Sequence, residues 1–438
     1  MRNKIFLLFF FLIIGCGSNI GTEIDINSLK KEGIKIFDST DSVKDNSEIS
    51  KISSIALVKQ KTFKGNDNWN YPYYNLTNTI PHLSLSNNYK INQNKIFNFI
   101  KNNNFEKQIL HYQSKIIFID DFSNITLLND NMSVIKKIKI YNKNDFKNYP
   151  LRFSLAINNN TLFITDNLGS IMAFNLISFD FVWKKNLSVP FLSNIIFFKE
   201  NIFVINANNK IYSFSIKDGT QNWSYETGTE TIKSLETYRL VLFENKLIFT
   251  NDLGLLFCLD LERQVILWNL RILSSDNINN SNILKISNLV AEKQSLYISS
   301  NLGIFFKINI DNGQIIWKKN INSHFPIIIN PSSVSLVDVN GFFYILDKFT
   351  GEYLFKKKIS NIFNQNNNGL VGIKVSNFFL SSNNFNIMTN YGDIITIAAN
   401  KLENITTKKI SNEVRSNIIF LNNEAFFIGE KNSIYRLK

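Results

Sequence analysis

The stretch LGIFFKINIDNGQIIWKK, residues 302–319, decides the fold. An apolar run stops at Asp311-Asn312-Gly313, where Asn and Gly tolerate the positive φ of a tight hairpin, and a second apolar run follows. Trp317 falls fourteen residues after Gly303. The phrase returns as LGSIMAFNLISFDFVWKK (168–185), NNKIYSFSIKDGTQNWSY (208–225), LGLLFCLDLERQVILWNL (253–270) and NGFFYILDKFTGEYLFKK (340–357). Each copy places an aromatic, Trp183, Trp223, Trp268 or Phe355, fourteen residues after a Gly or Asn. Weaker copies start at Ser123, Gly392 and Asn432, so the starts are spaced by 46, 40, 45, 49, 38, 51 and 40 residues. Periods of this size mean a solenoid or a propeller.

Another apolar strand precedes every start, as in TLFIT, NIFVIN, KLIFT and SLYIS. Two residues past the starts lie Ile125, Ile171, Ile211, Leu256, Phe305, Phe343, Ile394 and Ile434. Five past lie Leu128, Phe174, Phe214, Leu259, Ile308, Leu346, Ile397 and Leu437. An odd difference in offset puts the two sets on opposite faces of one strand, so both faces are buried. A sheet with one wet face is excluded, whereas a propeller blade pressed between two neighbours meets the condition. The expected fold is therefore all-β, an eight-bladed propeller, with Trp183, Trp223, Trp268, Trp317 and Phe355 as a core column facing the adjacent blades. The eighth copy stops at Lys438 without room for its outer strand. An open ring would leave unpaired edges, so a strand within residues 89–100, YKINQNKIFNFI, is expected to close it.

Arg2 and Lys4 flank the start of an apolar run over residues 5–14, followed by Gly15-Cys16. Ten helical residues span only about 15 Å, too short for a bilayer core of about 30 Å. Basic start, short apolar stretch and small residue at the cut describe a secretory signal. Ile13-Ile14-Gly15-Cys16 resembles the lipobox of bacterial lipoproteins, which implies acylation at Cys16. Gly17, where an aspartate would signal inner-membrane retention in that class, implies an outer-membrane anchor facing the periplasm. The expected division is a signal over 1–15, a lipid-anchored polar tether and leader over 16–82, with a strand at residues 55–58, and the propeller over 83–438.

The formal charge of +13 is carried by lysine, since only seven of 48 basic residues are arginine. The lysines are scattered among Asn, Ile and Phe instead of forming a basic stripe with interleaved aromatics, which argues against nucleic acid as a partner. His82, His111 and His324 have no carboxylate or cysteine at ligand spacing, and no phosphate-binding, nucleophile-elbow or zinc-helix motif occurs. Cys258 sits in an apolar strand pattern and reads as core. With Cys16 acylated, no intramolecular disulfide is available.

The repeat of glycine, apolar strand, Asp or Asn, then Gly and Trp resembles the PQQ-like propeller repeat over roughly residues 83–438. Eight such copies behind a lipobox, with the leader NDNWNYPYYNLTNTIPHLSLS (66–86), resemble the BamB-type lipoproteins of the outer-membrane β-barrel assembly machinery. That resemblance implies a non-enzymatic scaffold without a cofactor, whose partners are the periplasmic domains of BamA and other subunits of the machinery. In that family the BamA-contacting loop lies between the third and fourth phrases. The matching stretch is TIKSLETYRL, residues 231–240, so Ile232, Leu235 and Tyr238 are the candidate interface. Arg239 lies a few residues later than the family's arginine. Two other readings share the repeat: a propeller binding another peptide or glycan, and a PQQ-dependent dehydrogenase. The dehydrogenases of the repeat family commonly use a vicinal Cys-Cys pair, which this sequence lacks.

Overall fold

Eight antiparallel sheets, seven of four strands and one of five, follow one another around a ring in the computed structural model. It describes residues 47–438 apart from 66, 86–89, 96–104, 147–148, 229–237, 273–284, 360–373 and 431–432. Blades 1 to 7 span residues 109–139, 153–186, 196–226, 240–271, 290–319, 328–358 and 375–409. Blade 8 combines residues 419–437 with the strand Ile91–Lys95. First strands of neighbouring blades approach one another around the axis, whereas fourth strands form the exposed rim. The central strands are buried on both faces, and both periodic sets of the repeat lie in the core. No helix among the described residues is long and apolar enough to cross a membrane.

Each repeat start among the described residues is the turn between the second and third strands of a blade. Asp166 Oδ1 accepts hydrogen bonds from the backbone N–H groups of Leu168 and Ser170, both at 2.9 Å, and Gly169 turns the chain with φ +86°. A Cβ at Gly169 would lie 2.6 Å from the backbone nitrogen of Val189, so both backbone angle and space demand glycine. Where Ser123 and Asn209 replace glycine, they adopt the same left-handed region, at φ 61° and 55°.

The aromatic column joins blades in a specific way. The Trp183, Trp268 and Trp317 rings lie against Gly219, Gly313 and Gly351 in the outer hairpin of the following blade. Their indole N–H groups donate to the carbonyls of Ile216 (3.0 Å), Ile310 (2.7 Å) and Lys348 (3.2 Å) three residues before those glycines. Trp317 and Phe355 are buried, while Trp183, Trp223 and Trp268 are half-buried because their outer edges reach the rim. In the blade after Trp223 the aligned position holds Gln264 in place of glycine, and Trp223 packs on Phe203 of its own blade, 5.7 Å between ring centroids. Beyond Phe355 the place of the glycine is taken by buried Leu402.

Closure comes from the N-terminal side. Ile91–Lys95 pairs antiparallel with the final strand in the register Ile91↔Leu437 to Lys95↔Ser433, so the closing strand lies within residues 89–100 as expected; residues 89 and 96–100 lie outside the described set. The chain before it is strapped down. Ile49–Ser50 adds a fifth strand to blade 6, the Lys51 N–H donates to Leu354 and the Ile55 N–H to Ala399, and Ile52, Ile55 and Leu57 pack on the core between blades 6 and 7. The paired strand is therefore at residues 49–50. Residues 55–58 form no paired strand: Ile55 and Leu57 pack on the core, whereas Val58 is exposed.

Candidate functional site

The axis is built from the residues just before and within the first strands. Ser193-Asn194, Ser287-Asn288, Ser376-Asn377 and Ser416-Asn417 occupy matching positions in blades 3, 5, 7 and 8. The serine hydroxyls tie the first strand to the second in their own blades, as where the Ile205 N–H donates to Ser193 Oγ at 2.8 Å. The amides tie neighbouring blades together. Asn417 both accepts from the Ile109 N–H (2.9 Å) and donates to the Ile109 carbonyl (3.0 Å), and Asn194 does the same for Leu240. Gln108 accepts from the Leu155 N–H and Asn377 from the Ile418 N–H. This Ser-Asn dipeptide recurs at repeat spacing, a signal present in the sequence but outside the glycine–tryptophan phrase.

The leader crosses the end of the channel where the first strands finish. Trp69 pairs with His111 of blade 1, the Ile157 N–H of blade 2 donates to Asn70, the Leu242 N–H of blade 4 to Leu76, and the Ala291 N–H of blade 5 to Thr77. Asn78 bridges the carbonyls of Leu240 and Leu289, supplying between blades 4 and 5 the link that Arg239 cannot make. The Leu83 N–H then donates to Leu380 of blade 7. Trp69 is fully buried against Phe63, Tyr74 and Phe420. In the middle of this crossing the Pro72 carbonyl accepts from Asn417, and Tyr73 enters the channel until its hydroxyl meets Arg239 Nη1 at 3.2 Å.

Around Tyr73 the opposite mouth is charged. Arg239 of blade 4, Arg152 before blade 2 and Lys374 before blade 7 all act on the carboxyl of Glu106, which precedes blade 1. Side chains from such separated blades come within range of one another only on the axis. Glu106 is reached by water yet walled in by protein, so its carboxyl is pushed above the usual range, an effect the three cations oppose. Burial likewise raises the Tyr73 hydroxyl, with Arg239 pulling against it. Arg239 Nε and Asn288 Oδ1 are buried without a hydrogen-bond partner among the described residues, and the Asn288 side chain reaches the Tyr73 hydroxyl. Among the described residues no cluster of acidic, His and Cys side chains could hold a metal ion.

The candidate interface read from the sequence is only partly visible here. Ile232 and Leu235 lie outside the described residues, as does Cys16. Tyr238 is buried in the core between blades 3 and 4, its N–H donating to Leu192 and its hydroxyl raised by burial. Its ring is core, and Arg239 beside it turns into the channel. His82 and His111 are buried and hydrogen-bonded through Nδ1 to the carbonyls of Val58 and Asp67. Cys258 is buried, its thiol pushed up to about 12.

This ring of eight antiparallel blades, sealed by tryptophan–glycine contacts, is a propeller of PQQ-like repeats. The profile of the family described as "Outer membrane protein assembly factor BamB" matches residues 142–357, and the chain is a BamB-type propeller. Among solved structures, BamB from Moraxella catarrhalis superposes with a TM-score of 0.60 at 12% identity, covering 79% of this chain and 100% of that one. A europium-containing methanol dehydrogenase superposes at 0.63 with 10% identity over 83% and 88% of the two chains. The quinohemoprotein alcohol dehydrogenase from Comamonas testosteroni superposes at 0.61 with 10% identity over 84% and 80%. At these identities the superpositions establish the fold alone. Comparison with curated protein sequences returns no match.

Proposed function

We propose that the protein is a non-enzymatic lipoprotein scaffold of outer-membrane β-barrel assembly, anchored through Cys16 on the periplasmic face and docking the periplasmic domains of BamA. The observation that carries this reading is the BamB family match across residues 142–357, within a ring that closes on its own N-terminal strand. The dehydrogenases share the fold at similar TM-scores, so fold by itself does not choose between them. The loop-bearing face supports docking. The described connections between blades run from a rim strand to the first strand of the next blade, and residues 231–237 precede the first strand of blade 4 in the sequence. A loop of this kind docks a soluble domain by main-chain pairing with a few apolar anchors, here Ile232 and Leu235.

Calorimetry of the purified chain against the BamA periplasmic domains tests the reading. Ile232→Asp/Leu235→Asp, with an unchanged melting curve, is expected to weaken binding at least tenfold, about 1.4 kcal/mol. Undiminished binding moves the interface elsewhere on the ring, and absence of binding by the unaltered chain removes the scaffold role. Cys16→Ser is expected to leave the outer-membrane fraction, and unchanged fractionation would remove the anchor.

A further inference from the structure

We infer that the rim of blades 5 and 6 is a membrane-contact surface, on which Ile315, Ile316 and Phe349 enter the headgroup region of a lipid bilayer. The inference rests on the proposed anchor at Cys16. Ile315 and Ile316 open the rim strand of blade 5 and are 38% and 47% exposed, while Phe349, in the outer hairpin of blade 6, is 63% exposed. Packing joins them into one patch. The Trp317 ring, next to Ile316 in the chain, lies against Gly351, two residues after Phe349, where a Cβ would come within 2.8 Å. Lys307 Nζ, on the strand paired with that rim strand, lies 5.5 Å from the Phe349 ring centroid. Asp347 Oδ1 accepts from the Phe349 and Thr350 N–H groups, both at 2.8 Å, so a fixed turn holds the phenyl ring outward.

Single exposed apolar residues are ordinary, whereas clustered ones mark a partner. Blade 6 shows the same rim position covered. Tyr353 and Leu354, which align with Ile315 and Ile316, are half-buried where residues 49–51 pair along the strand. The route of the chain selects the occupant of the open patch. Ile49–Ser50 is bound to the rim strand of blade 6, and the Lys358 N–H donates to Glu48, so the chain continues toward Cys16 from this rim. Thirty residues, 17–46, form the link. Pairing fixes the exit point, and the effective concentration of a tethered surface is greatest for the groups nearest that point. Binding of this kind grows with the apolar area buried at the interface. Blade 2 stands across the ring from blade 6 and supplies a matched control. Ile177 occupies the place of Phe349 in its hairpin, is equally exposed at 63%, and has its N–H held by Asn175 Oδ1 at 2.8 Å.

The acylated protein on vesicles of phosphatidylethanolamine and phosphatidylglycerol tests the surface, with a fluorescent label on Phe349→Cys, Ile316→Cys or Ile177→Cys. With Cys16 acylated and Cys258 buried, the introduced thiol is the reactive one. Quenching by spin-labelled lipid is expected to be about threefold stronger at 349 and 316 than at 177. The same variants carrying Cys16→Ser, free in solution, should be quenched by iodide equally at 349 and 177. Shielding of the 349 label there would mean that protein, either the preceding residues or a second copy, covers the patch, and it overturns the inference. Lipid quenching that is equal at 349 and 177, or absent from both while the chain floats with the vesicles, also overturns it and leaves the anchor standing. A chain that does not float with the vesicles removes the anchor, and the surface with it.

Discussion

At the seam between blades 5 and 6, Trp317 lies over Gly351 and its indole N–H donates to Lys348. At the seam between blades 8 and 1 there is no such tryptophan. There Lys107 Nζ lies 2.5 Å from Asp121 Oδ1, Arg415 Nη1 lies 3.6 Å from Asp121 Oδ2, and all three residues are buried. Asn417 binds the backbone of Ile109 at the axis, and Trp69 of the leader fills the core. The first seam is written inside the repeat and is the same wherever tryptophan and glycine coincide. The second joins the two ends of the ring, which are separated by the whole propeller, and it is built from polar groups and an added segment. Buried ion pairs add little net stability, yet they penalise any arrangement that leaves one member unpaired. Closure is thereby made specific where the repeat cannot make it so.

Deleting residues 90–95 tests the closing seam most severely. It exposes the edge of the final strand, and the melting temperature is expected to fall by on the order of 10 °C with aggregation on heating. An unchanged melt by circular dichroism would mean that the ring holds without its outer strand. Next come two single substitutions of similar size, one for each seam. Asp121→Ala takes the ion-pair partner from buried Lys107, while Arg415 keeps Glu413, and should cost about 3 kcal/mol in denaturant unfolding. Trp317→Ala should cost about 3–5 kcal/mol through its cavity. A loss from Asp121→Ala below measurement error would reduce the polar seam to decoration.

A finer comparison separates backbone strain from docking. Gly303 and Gly351 both have positive φ, at 87° and 73°. A Cβ at Gly303 meets open space, while one at Gly351 would lie 2.8 Å from the Trp317 ring. Gly303→Ala should therefore cost about 1–2 kcal/mol from the left-handed backbone alone, and Gly351→Ala about twice as much. Equal costs would show that the tryptophan yields freely.

The smallest expected effect is a pH dependence of the leader. Burial holds the rings of His82 and His111 below their ordinary pKa, and the Asn383 N–H donates to His82 Nε2, which requires the neutral ring. As pH falls through about 6.5 the unfolded chain takes up these protons before the folded one, so stability is intact above that pH and declines below it. Aspartates face His111 at Asp67 and Asp130 and moderate the effect. The melting temperature should fall between pH 7 and pH 5, with a shallower slope in His82→Gln. Identical slopes for the variant and the unaltered chain would mean that His82 stays solvated.

Blade number, strand order and the aromatic column were legible because each unit repeats one local pattern, and both faces of its third strand proved buried in every copy. The closing strand followed from the missing eighth outer strand. The axial site was not legible in the same way. Glu106, Arg152, Arg239 and Lys374 share no motif, and each alone reads as one more scattered charge. Tyr238 entered the candidate interface through the resemblance of residues 231–240 to the family's contact loop, whereas its ring packs in the core between blades 3 and 4. The Ser-Asn dipeptide was visible, but its amide has a purpose only when the neighbouring blade stands beside it.

By itself the sequence determined what depends on short separations along the chain: alternation of side chains across a strand, positive-φ glycines at hairpins, and an aromatic at constant offset. Tertiary structure alone decided where the strap over residues 47–57 lies, that the leader blocks one end of the channel with Tyr73, and that charges from four blades meet on the axis. The physical reason is that a ring brings together residues hundreds of positions apart through closure. Contacts made by closure have no period in the sequence that would announce them.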